Sequence, residues 1–200
     1  MNYTTLQADV AAYLHRTDLT SVIPSFIERA RVRIGRDLKS VEQETTATIS
    51  SFTAGVGALP ADCMEVIRVT NGDSLLRAVN MQEVAFFMGA SDPVVYAVYG
   101  RNLLCPGASS LSLTYLKIEA VLSSGATEHP TMAAHPQVWT AASVMEGALY
   151  AHDTALYDYW AQAYRDEVFR VNAQARRLRT GPAPGPVASE YNVTSGGSIA

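Results

Sequence analysis

Residues 22–38 read VIPSFIERARVRIGRDL, and the fold turns on how that stretch is taken. Ile23, Phe26, Ile27, Ala30, Ile34 and Leu38 recur at three- and four-residue intervals, the period of a helix with one buried face. Beside that face stand four arginines and an aspartate. At 100° per residue, with Ala30 as origin, Arg29, Arg33 and Arg36 fall about 60–120° to one side, and Arg31 falls on the other flank. Long arginine stems can cover the rim of an apolar stripe with their heads in water. The same row can instead meet a partner. Asp37 projects about 20° from the centre of the apolar face, where an unpaired carboxylate is costly. The sequence therefore predicts an arginine partner for it, either Arg33 one turn back or one from another helix.

Working outward, residues 4–16 (TTLQADVAAYLHR) place Leu6, Val10, Tyr13 and Leu14 at helical spacing, with Thr4 or Thr5 as the cap. Thr20 or Ser21 can cap the quoted helix, whose first turn tolerates Pro24. From residue 41 the texture changes. VEQETTATIS (41–50) alternates and is rich in Thr and Val, as a half-buried strand is. MEVIRVT (64–70) reads as a second strand, joined to LLRAV (75–79) by the hairpin signal Asn71-Gly72. MQEVAFFM (81–88) reads as a short helix. VVYAVYGRNLLCPGASSLSLTYLKI (94–118) gives three more strands, with turns at Gly100-Arg101-Asn102 and Pro106-Gly107.

Residues 122–136 read as a loop, and residues 136–178 as helix again. Val138, Ala141, Ala142, Met145, Ala148 and Leu149 form a small-residue face, and Asp153 with Thr154 can cap a second segment. That segment carries a stripe of Leu156, Trp160, Ala163, Val168, Val171, Ala175 and Leu178; whether residues 151–154 break or kink the helix stays open. Residues 180–200 are rich in Pro, Gly and Ser and predict a flexible tail. The expected class is α+β: a four-helix bundle from residues 1–40 and 130–179, a small inserted antiparallel β lobe of five or six strands at 41–129, and the tail.

The balance of 48% hydrophobic and 17% charged residues is that of a globular protein folded in a cytoplasm. No apolar run nears the roughly 20 residues a membrane span needs, and the N-terminus lacks the pattern of a signal peptide. Charge is uneven along the chain. Residues 1–39 carry six basic and four acidic groups, residues 40–160 four and twelve, residues 161–200 five and three. That is too sparse a basic face for tight DNA binding, although a nucleic-acid regulator using the second helix is the alternative reading.

Cys63 and Cys105 lack metal spacing and read as reduced, partly buried thiols. His15, His129, His135 and His152 form no ligand pair, His152-Asp153 reads as helix capping, and no glycine cluster matches a phosphate loop. No enzyme, cofactor or metal is expected, and a Cys/His hydrolase is the weakest alternative. Candidate contact residues are Arg29, Arg33, Arg36, Arg170, Arg176, Arg177 and Arg179, with Pro182, Pro184, Pro186 and Tyr191 of the tail.

Five segments in order carry a resemblance: LTSVIPSFIERARVRIGRDL (19–38), GALPADCMEVIRV (57–69), VYAVYGRNLLCPG (95–107), LSLTYLKIEAVLSS (111–124) and EGALYAHDTALYDYWAQAYRDEV (146–168). Over residues 3–178 the chain resembles the head-to-tail adaptors of tailed bacteriophages, including those related to the tail tubular protein A group. The resemblance implies a structural virion protein at the head-tail interface. Twelve copies would form a ring beneath the portal protein, with the helices toward the portal or neighbouring copies. The β lobe would face tail nozzle or tube proteins, the C-terminal segment would reach into the portal, and DNA would pass through the lumen without specific binding.

Overall fold

The quoted stretch is a helix. In the computed structural model, which describes residues 1–16, 18–122 and 129–180, α2 runs Ile23–Asp37 with Pro24 in its first turn. Ile23, Phe26, Ile27, Ala30 and Ile34 are buried along it. Its N-cap is Val22, not the expected Thr20 or Ser21, and Val22 makes no side-chain cap bond. α1, Tyr3–Leu14, precedes it and is capped by Asn2, whose side chain accepts from the Thr5 amide at 2.8 Å. The cap expected at Thr4 or Thr5 thus moves to the residue whose carbonyl oxygen best reaches the free amides.

The middle of the chain builds two four-stranded sheets among the described residues, and eight strands replace the five or six expected. β1 (Glu44–Ile49), β3 (Cys63–Asn71), β4 (Ser74–Leu75) and β8 (Leu111–Lys117) form one in the order β1-β8-β3-β4. β2 (Val56–Ala58), β5 (Arg77–Ala78), β6 (Val95–Tyr99) and β7 (Asn102–Leu104) form the other, in the order β2-β7-β6-β5. The Asn71-Gly72 signal marks a real hairpin, but Asn71 pairs Ser74, so the two-residue turn is Gly72-Asp73. Residues 75–79 do not make one strand. The chain pairs β3 only to Leu75 and then crosses sheets, where β5 runs parallel to β6. That parallel pair departs from the expected all-antiparallel lobe; Leu76, buried between the two short strands, marks the crossing.

The short helix is present as α3, Met81–Val84, continued by a 3-10 turn at Ala85–Phe87 and capped by Asn80. Within the stretch expected as loop, Pro130–Ala134 form a one-turn helix, α4. α5 follows at Pro136–Tyr150 and α6 at Thr154–Thr180. Residues 151–153 are a true break: His152 adopts φ 56°, and the Asp153 carboxylate accepts from the Leu156 amide at 2.9 Å. α5 is buried on every side from Val138 to Ala148, not on one face, while Leu149, assigned to that face, is exposed. A helix buried all round must lie inside a shell of other elements, and α1, α2, α4 and α6 supply it.

One core joins Leu6, Val10, Phe26, Ile27, Ile34, Trp139, Val144 and Tyr164 from both ends of the chain. A second joins Val69, Leu103, Cys105, Leu111, Leu113 and Tyr115 in the sheets. Leu178, placed in the α6 stripe, is exposed. The tail residues expected to make contacts, Pro182, Pro184, Pro186 and Tyr191, lie outside the described residues. No helix among those described is long and apolar enough to cross a membrane.

Candidate functional site: charged flank and lobe junction

The arginines of α2 divide by what they touch. Arg33 reaches Glu146 of α5, its Nη2 2.6 Å and its Nε 3.0 Å from one carboxylate oxygen. The Glu146 side chain is only 7% exposed, against 30% for Arg33, so the guanidinium neutralises a charge buried inside the helices. Arg31, on the opposite flank, binds Glu28 by two hydrogen bonds and donates to the Glu119 carbonyl. Arg29 and Arg36 are exposed and make no hydrogen bond or ion pair among the described residues.

Asp37 does not take an arginine. It stands at the exposed last residue of α2 and accepts the Tyr164 hydroxyl at 3.0 Å. Burial, reinforced by the Asp37 charge, pushes that hydroxyl far above the ordinary tyrosine range, so it stays a donor. The angular reading placed Asp37 over the core; it is helical as expected, but as the last residue of α2 it is exposed, not covered.

From Tyr164 onward α6 acts as a splint. Asn172 donates to the Asp37 carbonyl at 2.8 Å and accepts the Lys39 amide at 2.7 Å. Arg179 then binds Glu44 at 2.7 Å and the Lys39 carbonyl at 3.1 Å. Residues 164, 172 and 179 recur at intervals of eight and seven, one face of a helix. Sequence reading missed Tyr164 and Asn172; that spacing opposite the polar end of α2 was the available signal. Arg179, expected to face a partner, is spent inside the chain. Arg170 pairs Glu167 on its own helix at 2.9 Å, whereas Arg176 and Arg177 are exposed and unpaired among the described residues.

A second polar set holds α4 between the two strands of chain that join sheets to helices. His129 and His135 stand at its two ends. His135 Nε2 lies 3.0 Å from Glu42, just before β1, and His129 Nε2 lies 3.0 Å from Glu119, just after β8. His129 also meets the Thr131 hydroxyl at 3.0 Å, which receives the Trp139 indole N–H at 3.2 Å. Glu119 is 2% exposed and its Oε1 has no hydrogen-bond partner among the described residues. The Glu42 carboxyl sits below its ordinary range: burial opposes ionisation, and hydrogen bonds from its own backbone and His135 outweigh it.

Neither thiol is set up as a nucleophile. Cys63 and Cys105 are free and buried, and burial raises both, Cys105 to about 11. Low-pKa, accessible sulfur is what nucleophilic chemistry needs. Among the described residues no group of three or more His, Cys, Asp or Glu gathers as a metal set would.

These geometries make intramolecular joints and leave exposed cations around them, the equipment of a structural protein that works through contact faces. The model of the SU10 adaptor protein family matches residues 1–188, and the chain belongs to that family. It is thus a bacteriophage adaptor, a structural component of the head-tail junction that meets portal and tail proteins. The match carries no specific relation to the tail tubular protein A group. No curated protein matches the chain. The regulator reading loses ground here, because Arg31 and Arg33 are consumed within the chain and the remaining basic face is sparse.

Proposed function

We propose that the chain assembles as a ring, of twelve copies, joining the portal to the tail and continuing the DNA channel. α1, α2, α5 and α6 act as a four-helix bundle and one body, residues 1–40 with 130–179. Residues 41–129 form the lobe that faces tail nozzle or tube proteins. The observation that carries this reading is the family match, and Arg29, Arg36, Arg176 and Arg177 support it. They project from the helical half with no intramolecular partner among the described residues, and exposed guanidinium groups suit acidic patches on a portal or neighbouring copy. The excess of carboxylates in residues 40–160, twelve against four basic groups, suits a lumen whose like charge lets DNA slide without sticking.

The test mixes purified portal with the full chain and with an Arg29→Ala/Arg36→Ala variant, scoring rings by negative-stain microscopy. The full chain is expected to form rings on portal and the variant to form fewer. No ring with the full chain sinks the proposal. Equal ring formation by the variant removes these two arginines from the interface.

A further inference from the structure

The helical half carries an open groove of about 830 Å³ between the end of α1, the first turns of α5 and the N-terminal half of α6. Its apolar wall is aromatic. Tyr13 meets Trp160 edge-on at a centroid distance of 4.8 Å, and Tyr159 meets it at 5.5 Å. Tyr13 and Tyr159 are exposed, Tyr159 by 68%. The rim carries three carboxylates, Asp153, Asp166 and Glu167, against one guanidinium, Arg170, with His15 beside them. Asp153 is engaged in capping α6 and Glu167 in its pair with Arg170, but among the described residues Asp166 meets only the Gln162 amide.

Residues 176–186, RRLRTGPAPGP, match both halves of that surface. Arg176 and Arg177 are unpaired cations at the end of α6 among the described residues, suited to the carboxylate rim. Pro182, Pro184 and Pro186 fix their φ angles before binding, which lowers the ordering cost, and proline rings stacked on aromatic walls are an established mode of peptide recognition. The same copy cannot supply them. Trp160 lies twenty residues before Thr180, about 30 Å along the helix, whereas Pro186 reaches back at most about 22 Å from Thr180.

We infer that residues 176–186 of a second copy occupy this groove, arginines on the acidic rim and prolines on Tyr13, Tyr159 and Trp160. The inference rests on the adaptor reading, since it needs copies side by side, and it names the contact that ties one to the next.

The experiment mixes two full-length variants of different tag length, Ala183→Cys in the tail and Ala163→Cys in the groove, assembled on purified portal and treated with a short thiol cross-linker. A cross-link between the two variants is expected, and adding Tyr159→Ala to the groove copy should cut its yield at least about tenfold. Trp160→Ala should do the same, but its ring packs on the core, so Tyr159→Ala keeps the test valid if that variant misfolds. Rings that assemble on portal with no cross-link overturn the inference and leave the adaptor reading standing. Cross-linking of Ala163→Cys to portal instead, or of both cysteines within one doubly substituted copy, also overturns it. A chain that never forms rings on portal defeats both readings.

Discussion

Arg33 and Glu146 are unequally exposed, and that asymmetry sets what each costs to remove. Taking away the guanidinium strands a nearly buried carboxylate inside the helices, so Arg33→Ala should lose about 3 kcal/mol, at the lower end for buried pairs because Arg33 keeps some solvent. Glu146→Gln leaves a cation that can still turn to water and should cost less; urea unfolding of the two variants checks the order, and equal losses would contradict it. Arg29→Ala and Arg36→Ala break no hydrogen bond or ion pair among the described residues, so each should shift stability by less than about 0.5 kcal/mol. At Cys63 and Cys105, burial and the raised pKa it causes predict slow alkylation of the native protein at pH 8 and rapid alkylation in denaturant. Fast native labelling would reopen the hydrolase alternative.

At the scale of elements, α6 and α5 do different work. α6 is a half-exposed splint whose Tyr164, Asn172 and Arg179 fasten the end of α2 and the entry to β1. Asn172→Ala removes two hydrogen bonds from partly solvated groups and should cost about 1 kcal/mol. α5 is the buried axis, and Gly147 is what lets α1 approach it. A Cβ there would stand 2.6 Å from a Leu14 methyl. That methyl can move, so Gly147→Ala is a modest strain, while Gly147→Val should cost about 1–3 kcal/mol as overpacking; thermal unfolding distinguishes the two. The period of α2 made its buried face legible, since a 3.6-residue stripe is a local signal. The total burial of α5 was not legible, because small residues on one face look alike whether or not neighbours also close over the others.

For the whole molecule, the joint between sheets and helices sets the response to acid. Glu28 and Glu42 titrate below their ordinary value of 4.5, drawn down mainly by the Arg31 hydrogen bonds for Glu28 and by hydrogen bonds that outweigh burial for Glu42. A carboxyl with a lowered folded pKa stabilises the fold above its unfolded value and loses that contribution as pH falls through the folded one. Stability should therefore drop below pH 4.5, and Glu42→Gln should flatten that drop, as read from unfolding midpoints between pH 6 and 3. The same joint was only half legible beforehand. His129 and His135 were visible as isolated histidines, but their glutamates lie across the lobe, Glu119 ten residues before His129 and Glu42 ninety-three before His135.

The sequence by itself determined the succession of helices, β lobe and helices, the buried stripe of α2, the Asp153 cap and the succession of motifs that marks an adaptor. Those are local or linear properties, fixed by periodicity, capping chemistry and backbone preference. Tertiary structure alone decided that Arg33 answers Glu146, that Asp37 answers Tyr164, and that Arg179 turns inward while Arg29, Arg36, Arg176 and Arg177 make no hydrogen bond or ion pair among the described residues. It also split the lobe into two sheets with one parallel pair. A charge takes its partner from whatever the packed helices bring within about 3 Å, and that proximity exists only once the cores have closed.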